Sequence, residues 1–181
     1  MAEAFSNKLT RAAGIVTTSS SGSIGITTTI ITGISTVGVA VSDLVDNSNF
    51  IAGTKVTGYG AAANQVVVDQ TSSNTASVSG NAVVKFLGMT TAYTSSATKS
   101  ILIGGTFANN TDSSVNLTVE VHDASAGIQA AIASKIPVPT GSSFVISDTG
   151  KTILETSDEV RVFCDSANAI DVNLSILTGV S

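Results

Sequence analysis

Few residues of this chain can do chemistry, and their spacing argues against a reaction. His122 is the single histidine and Cys164 the single cysteine. A Ser–His–acid triad or a multi-histidine metal site has little to draw on. His122 stands beside Asp123 on the polar side of an alternating stretch and reads as an exposed edge residue. Cys164 falls in line with Val160 and Val162, where a thiol packs into a core and is inert. Asp43, Asp46, Asn47 and Asn49 offer oxygens to a calcium ion. The calcium-loop pattern is missing, and Asp and Asn gather in turns on their own account. Asp158 and Glu159 are adjacent, so on a strand their side chains point to opposite faces and make a poor acid–base pair; they read as a solvated turn. Gly58-Tyr59-Gly60 and Gly104-Gly105 lack the lysine and the strand-to-helix setting of a phosphate loop. Tyr59 and Tyr93 are all that a sugar-stacking platform could use, since the chain has no tryptophan. No catalytic, cofactor-binding or metal-binding residue is assigned, no cofactor is called for, and no enzyme is expected.

The composition says which elements must carry these residues. Charged residues make up 12% of the 181 and hydrophobic ones 43%, against roughly 25% charged in ordinary soluble domains. The apolar content is Val, Ile, Ala and Leu, and Thr, Ser and Gly fill much of the rest. That mixture points to an all-β chain of short strands and tight turns. Residues 1–97 hold four acids and four bases, and residues 98–181 hold nine acids and four bases, so the net charge of −5 belongs to the second half. There is no basic cluster to neutralise phosphates, so no nucleic-acid partner is expected. Ala12 to Ser42 carries one charge-free run, but Thr, Ser and Gly break it, so no membrane span is expected. One cysteine allows no internal disulfide, and the start does not read as a signal peptide, which fits a reducing cytosol. The sequons at Asn109, Asn116 and Asn173 then have no meaning.

Alternation marks the strands. Ile170, Val172, Leu174 and Ile176 alternate with Asp171, Asn173 and Ser175. Val115, Leu117, Val119 and Val121 do the same, as do Val160, Val162 and Cys164. Lys99 to Asn109 is expected to set Ile101, Ile103, Gly105 and Phe107 on one face. Ala4 to Thr10 reads as an edge strand or extended arm, Thr17 to Ser23 as a flexible linker, and Val37, Val39 and Val41 as a strand. Asp43 to Asn49 reads as a turn cluster. Gly127 to Ile136 is rich in alanine, which favours helix, but its flanking turns favour a strand. The later part holds about seven or eight strands, the pattern of a sandwich or jelly roll.

Ala4-Phe5-Ser6-Asn7-Lys8-Leu9-Thr10, Ile101-Leu-Ile-Gly-Gly-Thr-Phe-Ala-Asn109 and Val115 to Ala124 together resemble small structural proteins of tailed bacteriophages, those of cyanobacteria in particular. Ile136-Pro-Val-Pro-Thr-Gly-Ser-Ser143, Ile153-Leu-Glu-Thr-Ser-Asp158, Val160-Arg-Val162 and Ile170 to Leu177 extend the resemblance. Residues 19–87 resemble a separate β module of phage virion proteins, through Ile30-Ile-Thr-Gly-Ile34, Val41-Ser-Asp-Leu-Val45, Ile51 to Thr57 and Val66-Val-Val-Asp69. Where that module is expected to carry a glycine before Asp43, this chain has Ser42. The resemblance implies a split β-sandwich or jelly-roll-like domain, residues 1–18 and 88–181, with the module at 19–87 inserted near its N-terminus. It also implies a virion component assembled in the host cytoplasm. Such a component is a capsid decoration (cement) protein or an accessory neck or tail protein, forming a homo-oligomer and touching the major capsid protein or neck and tail proteins. Residues 1–18 are the expected contact arm. A receptor-binding or adhesion module of a tail fibre is the alternative.

Overall fold

A computed structural model of the chain describes residues 3–147 and 151–180. These residues form strands, turns and loops, with no helix among them. In chain order the strands are β1 (Ala4–Ala13), β2 (Ile15–Ile24), β3 (Ile30–Thr32), β4 (Leu44–Asp46), β5 (Val56–Tyr59), β6 (Gln65–Val68), β7 (Val78–Gly88), β8 (Thr90–Thr94), β9 (Lys99–Asn109), β10 (Val115–Asp123), β11 (Ile128–Val138), β12 (Ser143–Ile146), β13 (Thr152–Glu155), β14 (Glu159–Cys164) and β15 (Ile170–Thr178). The chain is all-β. It divides into two compact units, Met1–Gly14 with Thr90–Ser181, and Ile15–Met89.

The first unit is a sandwich of two antiparallel sheets. One runs β1-β15-β9-β12, with β13 also pairing β9; the other runs β11-β10-β14-β8. β12 meets the Gly105–Ala108 stretch of β9 and β13 meets Lys99–Leu102, so the two form one interrupted strand. Counted that way, the described residues of the unit form eight strands in the orders 1-8-3-6 and 5-4-7-2. That is the double Greek key of a jelly roll. A single apolar cluster joins the sheets. It includes Val160, Val162, Cys164, Ile170, Val172, Leu174 and Ile176, the apolar sides of the alternating stretches.

The second unit is one sheet in the order β4-β7-β2-β3-β6-β5. Its two end strands meet. Leu44 bridges Lys55, and Ser42 N–H donates to Val56 O at 2.8 Å, Val56 N–H to Asp43 O at 3.0 Å and Val45 N–H to Thr54 O at 2.8 Å. The sheet therefore closes into a six-stranded barrel and leaves no free edge. Ile24, Ile31, Val45, Val56, Val66, Val84 and Phe86 are among the residues that fill it.

Several expectations need correction. Thr17–Ser23 is not a linker: it lies within the ten-residue β2, paired along β7, and the inserted unit begins at Ile15 and ends at Met89. Val37, Val39 and Val41 are not a strand. They sit in successive turns in which Val39 N–H bonds Thr36 O and Asp43 N–H bonds Ala40 O. Asp43–Asn49 holds the short strand β4 inside its turns. Ile101 and Ile103 do not share a face with Gly105 and Phe107. The β15–β9 register shifts between Ser175 and Ile176, so Leu102, Gly105 and Phe107 are buried while Ile101 and Ile103 are half-buried on the outer side. Gly127–Ile136 does adopt a strand, as β11.

Candidate functional site

The chemically capable side chains are spent on the fold. Cys164 is fully buried, and its thiol donates to Ser166 O at 3.0 Å and Ala13 O at 3.4 Å. Burial pushes the thiol up to about 11, so it stays protonated and a poor nucleophile. Close by, Gly14 adopts φ +124°, and a Cβ there would collide with the Cys164 sulfur and the Ser166 carbonyl. Only glycine lets β1 turn over that thiol.

His122 is not an edge residue. β10 runs between β11 and β14, and His122 is half-buried on it. Arg161 on β14 reaches across, with Nη2 at 3.0 Å from His122 Nδ1 and Nε at 2.7 Å from Glu159 Oε2. Since arginine only donates, Nδ1 accepts there and carries no proton.

Asp158 is not solvated. It is 5% exposed, and its carboxylate accepts Ala124 N–H at 2.9 Å and Glu155 N–H at 2.8 Å. It ties the β10–β11 turn to the turn before β14. Asp43 is also buried; its carboxylate accepts Ala40 N–H at 2.8 Å, and burial raises its pKa against that hydrogen bond. Asn47 caps Asn49 N–H and donates to Val83 O, both at 2.8 Å. Among the described residues no group of three or more His, Cys, Asp or Glu is placed to hold a metal. Tyr93 is buried against Ser100, and Tyr59 is half-exposed with its hydroxyl donating to Val39 O at 2.6 Å. Gly104 and Gly105 give room for Ile146 and Leu174. Asn109 of the first sequon is buried, and its amide donates to Ser113 O and Val138 O at 2.7 and 2.8 Å.

What remains unspent is apolar surface. β1 turns its large apolar side chains away from the sandwich. Ser6, Lys8 and Thr10 stand in register with the buried Ile176, Leu174 and Val172, whereas Phe5 and Leu9 point outward, 76% and 73% exposed. Across the sheet, Phe5 shares a row with Leu177, Ile101 and Ile153. Leu9 shares a row with Asn173, Thr106 and Val145. Ile153 is 62% and Val145 56% exposed. The outer face thus carries an apolar residue at each of four corners, with Asn7, Ser175, Asn173 and Thr106 among them on β1, β15 and β9. A groove of about 320 Å³ lined by Leu9, Arg11, Thr106, Ala108, Asp171 and Asn173 crosses it. Phe5 and Leu9 lie in the expected contact arm, of which Met1 and Ala2 fall outside the described residues. The other half of the face was hidden, because Val145 and Ile153 look like ordinary core residues until the register is known. Phe5, Leu9, Val145 and Ile153 are thus large apolar side chains exposed on one face of one sheet. The chain matches no protein-family model and no curated protein.

Proposed function

We propose that the chain is a structural component of a tailed-bacteriophage virion, a capsid decoration protein or an accessory neck or tail protein, working by protein–protein contact. The observation that carries this is the inverted β1, which turns Phe5 and Leu9 to solvent while polar residues face the sandwich. A face of that kind is made to be covered by protein. The reading is further supported by the engagement of Cys164, His122 and Asp158 in local hydrogen bonds, which draws them away from any shared substrate. The double Greek key recurs in viral capsid domains, which supports the reading by analogy of fold. Assembly in the host cytoplasm and incorporation into the particle follow from it.

The adhesion alternative needs an exposed aromatic or acidic recognition face; Tyr93 is buried, and the exposed Phe5 and Tyr59 lie on different units. Binding of the purified chain to host cells would favour that alternative. Mass spectrometry of purified particles tests the proposal: the chain is expected among the stoichiometric particle proteins, and its absence from them sinks the assignment.

A further inference from the structure

We infer that β1 pairs edge to edge and antiparallel with β1 of a second copy of this chain, around a two-fold axis that crosses the sheet at Asn7. The inference deepens the contact reading of β1 by naming its occupant.

β1 is the unblunted edge of the jelly-roll unit. It ends its sheet, and among the described residues it is paired only on the side toward β15. Sheets protect such edges with short strands, bulges, proline or charge. The other sheet ends of this unit are treated that way. β8 has five residues and a register shift, β12 and β13 have four residues each, and β11 carries two register shifts and Pro137. β1 runs from Ala4 to Thr10 without proline, its register shifts only after Thr10, and Lys8 is the one charge in that span. Ala4, Phe5, Asn7, Lys8 and Leu9 are all exposed.

The strand is self-complementary about Asn7. With Asn7 opposite Asn7, Phe5 of each copy stands opposite Leu9 of the other, Ser6 opposite Lys8 and Ala4 opposite Thr10. Glu3, just before the strand, falls opposite Arg11. The outer row then has opposite charges at both ends, two apolar pairs and two amides at the centre, each a favourable cross-strand pair. Every contact occurs twice, as an isologous interface requires. Arg11 shares a groove with Asp171, whose carboxylate already accepts Ala12 N–H at 2.8 Å, so Glu3 of the second copy brings a further acid to a surface cation.

The same residues fix the register. Opposite residues share a face of the sheet, so the nearest alternatives centre on Ser6 or Lys8. Centring on Lys8 sets the two Lys8 side chains against each other and Phe5 against Arg11. Centring on Ser6 sets Glu3 against Leu9. Seven residues paired about Asn7 exchange about six to eight backbone hydrogen bonds, because alternate residues exchange two each. That number is within the range of specific interfaces, about 10 ± 5.

The test uses the full chain and exposed positions, so folding is not at stake. Wild-type protein is expected to sediment at twice the chain mass. Phe5→Lys and Leu9→Glu are each expected to sediment at the chain mass with unchanged circular dichroism. An equal mixture of the two variants is expected to return to double mass, because the introduced lysine of one copy then faces the introduced glutamate of the other while the second corner keeps its native pair. Register is read by cross-linking. Asn7→Cys is expected to oxidise to a covalent dimer, since its two Cα atoms would lie about 4.5–5.5 Å apart. Asn173→Cys on β15, three strand spacings or about 14 Å from its mate, is expected not to. A monomeric wild type, a dimer that survives both substitutions, a mixture that stays monomeric, or cross-linking through Asn173→Cys but not Asn7→Cys would overturn the inference. Particle mass spectrometry reads the virion assignment separately: a chain that dimerises as described but is missing from particles sinks that assignment alone.

Discussion

Asp158→Ala should destabilise the jelly-roll unit substantially. The carboxylate is 5% exposed and accepts two backbone N–H groups, Ala124 at 2.9 Å and Glu155 at 2.8 Å. Each hydrogen bond to a charged group contributes about 1.5–3 kcal/mol. Ala124 and Glu155 are themselves exposed, so water recovers part of the loss after truncation. The low end of the pair, about 3 kcal/mol, is therefore expected. For a chain of this size that corresponds to a fall of roughly 6–12 °C in Tm. Asp158→Asn should recover little, because its NH2 group would face one of the two N–H donors. Glu155→Ala is the control: the side chain is exposed, its backbone bond to Asp158 is kept, and a change within about 0.5 kcal/mol is expected. Urea unfolding followed by circular dichroism reads all three. An Asp158→Ala variant within about 0.5 kcal/mol of wild type would refute the claim that this side chain holds the two turns together.

Three further outcomes follow from the geometry. Burial raises the Cys164 thiol from 9.0 to about 11, so the folded state holds a proton that the unfolded chain releases first; stability is intact below about 9 and falls as pH rises toward about 11. Cys164→Ala should flatten that alkaline loss in pH-dependent melting, and a thiol reagent should label the wild type only on unfolding. Ser42 occupies φ 76°, where the phage module is expected to have glycine, and Ser42→Gly should stabilise the barrel by about 0.5–1 kcal/mol in chemical denaturation. A destabilised variant would mean that the Ser42 side chain holds the turn. If the barrel is closed, the amides of Ser42, Val45 and Val56 should resist hydrogen exchange as strongly as those of β2 and β7. Rapid exchange at these three would show an open sheet.

The legible strands were those whose residue types alternate. In β15 the apolar side enters the cluster between the sheets and the polar side stays exposed or half-buried, whereas in β10 and β14 the other side also holds the buried Thr118, Glu120 and Phe163. β2 was illegible for a physical reason. It pairs with β7 through Ser19 and Gly22, and a Cβ at Gly22 would lie 3.0 Å from Ala82 O and 3.2 Å from Ile34 Cγ2. A tight barrel interior wants small residues there, and Thr, Ser and Gly look like a linker. Val37, Val39 and Val41 misled in the opposite way: Val39 alone enters the core, and the alternation comes from two turns. Asp158 and His122 were misplaced because their partners, Ala124 and Arg161, are 34 and 39 residues away. The contact face shared this fate. Phe5 and Leu9 were readable as one side of a strand, but nothing local says that this side faces solvent. Only the pairing of β1 with β15 decides it.

As proposed above, this chain works by being packed against other protein in a phage particle. The most direct measurement is density for the chain in intact particles at a resolution that separates strands. Ordered density is expected at repeated, symmetry-related positions, with Phe5, Leu9, Val145 and Ile153 covered by protein. Particles without such density, or with that face bare to solvent, would contradict it.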